Sequence, residues 1–150
     1  MLINHEMRSV FIHIPKCAGT TVVNALKDRS DKWLHKSKPW INHDVLGKMS
    51  GCHIPLAILH EYFPQDWNLL THYRSGALVR HPERRFISAF SEYCNNFACR
   101  RIQELNDTEI RQIRDSVIDR LENLPVDHPS RYYELVHFTP QVDFLFINNK

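Results

Sequence analysis

No stretch of the chain approaches the roughly 20 consecutive apolar residues of a membrane-spanning helix. The N-terminus also lacks the basic, then apolar, then small-residue layout of a secretory signal. Together these absences predict a cytoplasmic chain without a membrane span. Charge of one sign is equally scarce. The 19 basic and 17 acidic residues leave a net charge of +2, too little for bulk nucleic-acid binding, so no nucleic-acid partner is expected and any anionic ligand must be held locally. Cysteine occurs four times, as Cys17, Cys52, Cys94 and Cys99, but never as a CxxC pair. That usage argues for reduced thiols over a disulfide framework. Cys52, His53 and His60 are near one another, but their spacing matches no zinc pattern, and no metal is expected. Low-complexity tracts are missing too, as are internal repeats beyond two strand-to-helix units. What remains is 150 residues, 43% apolar and 24% charged, the size and composition of one globular domain.

The informative segment opens at Val10, with "VFIHIPKCAGTTVV". Val10, Phe11, Ile12 and Ile14 are β-branched or aromatic, so Ser9 to Ile14 reads as a buried strand that Pro15 ends. From Thr20 the pattern changes to that of a short helix, with Val22, Val23, Ala25 and Leu26 on one side. Asp28 to Met49 is a polar excursion carrying Trp33, Trp40, Lys32, Lys36 and Lys38. It suits either a solvated basic loop or a contact with an anionic or saccharide acceptor. Pro55 is placed as the first residue of a helix running to about Tyr62, and His53 lies just before it. A second strand, Ala77 to Val79, breaks at His81 and Pro82. The helix that follows has an aromatic face of Phe86, Phe90, Tyr93 and Phe97. A further helix is predicted from Thr108 to Leu124, with Asn106 and Glu109 as a capping box and Ile110, Ile113, Val117, Leu121 and Leu124 as its stripe. The closing "HFTPQVDFLFINNK" ends in an apolar run that suits strand or helix. Alternating strands and helices predict an α/β domain with a mainly parallel central sheet flanked by helices, in which ligands bind beyond the carboxyl ends of strands.

Both charged turns fall at such ends. In "PKCAGTT" a helix N-terminus offers unpaired N–H groups and the positive end of its dipole to an anion. Gly19 lets the backbone come close, Lys16 brings a full positive charge, and Thr20 and Thr21 bring hydroxyl donors. The plainer alternative makes Pro15 and Gly19 turn punctuation, Thr20 a cap and Lys16 a solvated lysine. A nucleoside-triphosphate loop, GxxxxGK[ST], needs lysine directly after its last glycine; here lysine precedes the glycine by three residues. In "VRHPERRFISAF" Arg80 ends a strand and Ser88 lies on the adjoining helix, one turn beyond Arg84. The arginine fork suits a terminal phosphate, and the serine hydroxyl can share it. Alternatively Arg84 or Arg85 pairs with Glu83 or Glu92 at the surface.

The ordered motifs "HIPKCAGTT", "GCHIPL", "VRHPERRFISAF" and "FTPQVDFL" resemble those of carbohydrate-type sulfotransferases that use 3′-phosphoadenosine-5′-phosphosulfate, the heparan and chondroitin enzymes and their bacterial relatives among them. The resemblance spans about Val10 to Phe146. It implies a P-loop-like three-layer domain whose first loop, Pro15, Lys16, Cys17, Ala18, Gly19, Thr20 and Thr21, holds the 5′-phosphosulfate, and whose Arg80 and Ser88 hold the 3′-phosphate. His81 stands where the family has aspartate, and Cys52 separates Gly51 from His53. The family continues past the "PQ" segment with a strand, an acidic motif and a loop near the nucleotide. The expectation is a single sulfotransferase-like domain over 1–150, with truncation at the C-terminus and a minimal variant both open.

Sulfuryl transfer depends on aligning donor and acceptor and on stabilising charge on the leaving phosphate. Lys16 is placed for the second task. His53 is the candidate base by the resemblance, with His60 and Glu61 behind it, because histidine titrates in the right range. His13, as a strand residue, is expected to be packed. The activity expected is metal-independent sulfuryl transfer from that donor to a hydroxyl of a carbohydrate or related acceptor. A phosphotransferase with a degenerate nucleotide loop and an inactive nucleotide-binding module are the alternatives. Acceptor identity and oligomeric state are not legible.

Overall fold

The computed structural model describes residues 1–29, 34–35 and 40–147. The described residues form two compact units: one of Met1–Ile41, Ser50–Val79 and Pro140–Lys150, the other of Asn42–Met49 and Arg80–Thr139.

The first unit is built on a four-stranded sheet. Its strands are β1 (Leu2–Asn4), β2 (Ser9–Ile12), β3 (Leu34–His35) and β6 (Arg74–Ala77), in the order β3-β1-β2-β6. The fold class is mixed α/β, but the sheet is mixed too, which corrects the expectation of a mainly parallel one. Only β2 and β6 run parallel, while β1 is antiparallel to both β2 and β3. The cause is local. The chain leaves β1 and returns as β2 through a four-residue turn, His5 to Arg8, too short for any crossover. Asn4 Oδ1 accepts the Met7 amide at 2.9 Å in that turn, and Arg8 takes φ 47°.

Successive strand side chains face opposite sides of a sheet, and β2 uses both. Phe11, opposite Leu2, joins Val23 of α1 (Gly19–Arg29) in one core cluster, with Val22 and Leu26 packed against it. Ile12 and its partner Ala77 line the other face, against Ile14, Cys17, Phe144 and Leu145. β2 stops two residues earlier than the pattern predicts. The Ile14 amide bonds back to the Ile12 carbonyl at 3.2 Å, a γ-turn that takes the chain out of the ladder. β6 is displaced accordingly: "RSGA" pairs with Ser9–Ile12, and the expected strand residues Leu78 and Val79 lie beyond the end of their partner, 45% and 65% exposed. The expected excursion contributes β3 to the sheet edge and a two-stranded ribbon, β4 (Trp40–His43) with β5 (Gly47–Ser50). Lys32, Trp33, Lys36 and Lys38 lie outside the described residues; Trp40 is exposed. α2 (Leu56–Tyr62) ends where predicted but starts one residue later, with Pro55 as its N-cap, and α3 (Pro64–His72), which no apolar spacing announces, follows at once because Phe63 breaks the helix ahead of Pro64.

In the second unit α4 (Pro82–Phe97) opens with proline in its first turn, and its aromatic face is as predicted. Phe86 and Tyr93 meet Phe138, with ring centroids 5.5 and 5.9 Å apart, and Phe97 meets Tyr133 edge-on. α5 (Asp107–Asn123) carries the predicted capping box, with Asn106 Oδ1 accepting the Glu109 amide at 3.0 Å and Glu109 accepting the Asn106 amide at 2.9 Å. The unit also holds a short α6 (Pro129–Tyr132), the 3-10 turns Ile102–Glu104 and Val136–Phe138, and the part of the β4–β5 ribbon within Asn42–Met49. Among the described residues no helix is long and apolar enough to cross a membrane.

Candidate active site

The turn between β2 and α1 is the first candidate. Lys16 and Ala18 both adopt left-handed backbone, φ 62° and 60°, a conformation that costs a non-glycine residue about 1–3 kcal/mol and persists only where surroundings impose it. The surroundings are visible. Pro15 and Cys17 are buried, and the Cys17 thiol donates to Gln141 Oε1 at 3.1 Å. Phe144, fully buried, packs with Ile14 and Cys17 beneath the turn. The 3-10 turn Gln141–Phe144, part of the "FTPQVDFL" motif, therefore braces the loop from below. Burial also pushes the Asp143 carboxyl above the usual carboxylate range. On the outer side Ala18, Thr20 and Thr21 are exposed and Lys16 is half-buried. The left-handed pair and the first turn of the 11-residue helix α1 suit an anion, since amides in such a turn converge and the dipole adds positive potential.

Gly19, the first residue of α1, has a steric role that the sequence does not announce. A Cβ there would lie 1.8 Å from both Cδ2 and Nε2 of the His13 ring. Only glycine permits this approach. His13 also meets His53: the rings lie edge to face with centroids 4.5 Å apart, and His53 Nδ1 is 2.9 Å from the His13 carbonyl oxygen. The chain just ahead of α2 thus delivers His53 to the end of β2, beside the residue that abuts the loop. His60 and Glu61 are exposed on α2, and His60 meets Trp67 edge-on. An apolar pocket adjoining His13 and Cys52 is lined by Ile12, Ile54, Leu56, Leu59 and Leu70. Its lining includes neither Lys16 nor the loop hydroxyls.

The second candidate turn belongs to the second unit. Arg80, His81 and Arg84 are exposed around the start of α4, Ser88 is half-buried, and His81 Nδ1 is 4.0 Å from Glu83 Oε2. Arg85 departs from the surface pairing envisaged for it. It is 7% exposed, and its guanidinium donates to the carbonyls of His137 and Thr139 at 3.0 and 2.8 Å. Arg85 is thus a structural tie, and the signal for it was its position one turn before the buried Ala89. None of the four cysteines is in a disulfide, and among the described residues no group of three or more His, Cys, Asp or Glu is arranged to hold a metal.

No curated protein and no solved structure matches the chain. The sulfotransferase family does, over residues 1–143. A match that takes in both turns, the His53 segment and the Gln141 brace leaves little of the chain outside it. The chain belongs to the sulfotransferase family, whose chemistry is the transfer of a sulfuryl group.

Proposed function

We propose that the chain transfers a sulfuryl group from 3′-phosphoadenosine-5′-phosphosulfate to a hydroxyl of a carbohydrate or related acceptor. The observation that carries this reading is the convergence, inside the first unit, of an anion-suited turn and an imidazole: His13 abuts Gly19 with its ring and His53 with its carbonyl. In this reading Lys16, Thr20 and Thr21, with the backbone of Pro15, Cys17, Ala18 and Gly19, take the 5′-phosphosulfate of the donor. Arg80 and Ser88 take its 3′-phosphate. The β2–turn–α1 unit with β6 parallel beside β2 is the P-loop-like element of one sulfotransferase-like domain.

The chemistry assigned to the residues is simple. His53 accepts the proton of the acceptor hydroxyl while that oxygen bonds to sulfur. The bond between sulfur and the bridging phosphate oxygen breaks, and Lys16 and the α1 dipole stabilise the charge left on the phosphate. The positive charge needed comes from these groups, so no metal is assigned a role.

A thermal-shift comparison tests the donor class. The account predicts that 3′-phosphoadenosine-5′-phosphate raises Tm well beyond what ADP or ATP with magnesium does at equal concentration. Equal shifts, or a larger one with ATP, would contradict it. His53→Ala should suppress transfer and leave the nucleotide shift intact, because a base acts on the acceptor in the transition state.

A further inference from the structure

We infer that His13 is a positioning residue, which holds His53 in the tautomer that accepts a proton at Nε2 and ties that imidazole to the anion loop. The inference rests on the reading of His53 as base and deepens it. A neutral imidazole carries one proton on two nitrogens, and the one that accepts is decided by what the other bonds to. A backbone carbonyl can only accept. The 2.9 Å contact between His53 Nδ1 and the His13 carbonyl oxygen therefore puts the proton on Nδ1 and leaves the lone pair on Nε2. Nε2 is then the atom that takes the hydroxyl proton, and the carbonyl dipole favours the imidazolium that forms.

The peptide that carries this carbonyl is turned by the bond from the Ile14 amide to the Ile12 carbonyl at 3.2 Å, and the His13 ring braces that turn from its two sides. On one side the ring lies against Gly19, so closely that no side chain fits there. On another the His53 ring stands edge to face with it at 72°. Phe11, two residues back on β2, packs near it with centroids 6.4 Å apart. Turning the ring would require Gly19 and His53 to move together. The peptide that bonds His53 also begins the Ile14–Pro15–Lys16 segment, so the loop and the base share one fixed support. His13 need not touch either substrate for this.

The test is the tautomer of His53 in the full chain, read by nitrogen NMR of histidine-labelled protein at a pH where the ring is neutral, with His53→Gln to assign the signals. The expected result is a protonated, pyrrole-type Nδ1 and a bare, pyridine-type Nε2. His13→Ala should give a mixture of tautomers, and kcat should fall at least in proportion to the fraction that has left the Nδ1–H form. His13→Phe, which keeps a ring, should retain the parent pattern; it covers the case in which His13→Ala does not fold. A parent chain with the proton on Nε2, or an unchanged tautomer in folded His13→Ala, overturns the inference alone. A His53→Ala chain that transfers at the parent rate instead sinks the base assignment, and the inference with it.

Discussion

The thiol of Cys17 donates to the side-chain oxygen of Gln141, 124 positions later, at 3.1 Å. This contact fastens the C-terminal turn to the floor of the anion loop, where Phe144 fills the space under Ile14. Phe144→Ala should therefore cost about 3–5 kcal/mol by leaving a cavity, and Gln141→Ala about 0.5–1.5 kcal/mol by removing one hydrogen bond. Urea unfolding of the two variants checks the ranking. A Phe144→Ala chain as stable as the parent would mean that the segment does not support the loop.

Lys16→Ala should lower kcat by about 10²–10³, the usual cost of losing one group that stabilises transition-state charge. Tm should scarcely change, since the side chain is half-buried in a turn rather than packed in either core cluster. Parallel turnover and melting measurements separate the two effects. Near-parent turnover would remove Lys16 from the chemistry.

Arg80 and Arg85 should behave in opposite ways although five residues apart. Arg80→Ala should weaken ligands with a 3′-phosphate by about 1.5–3 kcal/mol, roughly tenfold to a hundredfold, and leave ADP binding alone. Arg85→Ala should instead lower stability, because two partly buried carbonyls lose their donor. Titration calorimetry with paired nucleotides reads the first effect and melting reads the second. Equal loss of both nucleotides in Arg80→Ala would show that it does not read that phosphate.

Acid should act on two carboxylates with opposite sign. Hydrogen bonds from the Asn106 amide and Arg100 hold Glu109 below its ordinary value, so its contribution is present above the unfolded pKa and lost as pH falls through the folded one. Burial holds Asp143 above its ordinary value, so its contribution is present below the unfolded pKa and lost as pH rises through the folded one. Asp143→Asn should raise Tm at neutral pH and lose that advantage below the carboxylate range. Glu109→Gln should lower Tm at neutral pH, with the deficit shrinking in acid. Melting curves across pH that moved both variants the same way would contradict the assignment.

What could be read from the sequence was what is local. The Asn106–Glu109 box spans four residues, and the Phe86 to Phe97 face repeats at helical spacing, so each carries its own signal. The PKCAGTT turn was legible for the same reason. β1 and β3 were not, since strands of three and two residues are too short to show a period. β6, "RSGA", has no β-branched residue and exists because β2 is there to pair with it. The steric claim of His13 on Gly19, the Gln141 brace and the Arg85 tie each join residues that only the folded chain brings together. Sequence placed His53 near the site by resemblance, but its hydrogen bond to the His13 carbonyl had no sequence signal at all.

The most direct test follows a labelled sulfuryl group. The purified chain is incubated with 3′-phosphoadenosine-5′-phosphosulfate carrying radioactive sulfur and a panel of saccharides, and label in the saccharide fraction is counted. The account predicts incorporation into at least one hydroxyl-bearing acceptor, strongly reduced in Lys16→Ala and His53→Ala and falling on acidification as the imidazole takes up a proton. Label that never leaves the donor across the panel, or that transfers equally well in both variants, would contradict it.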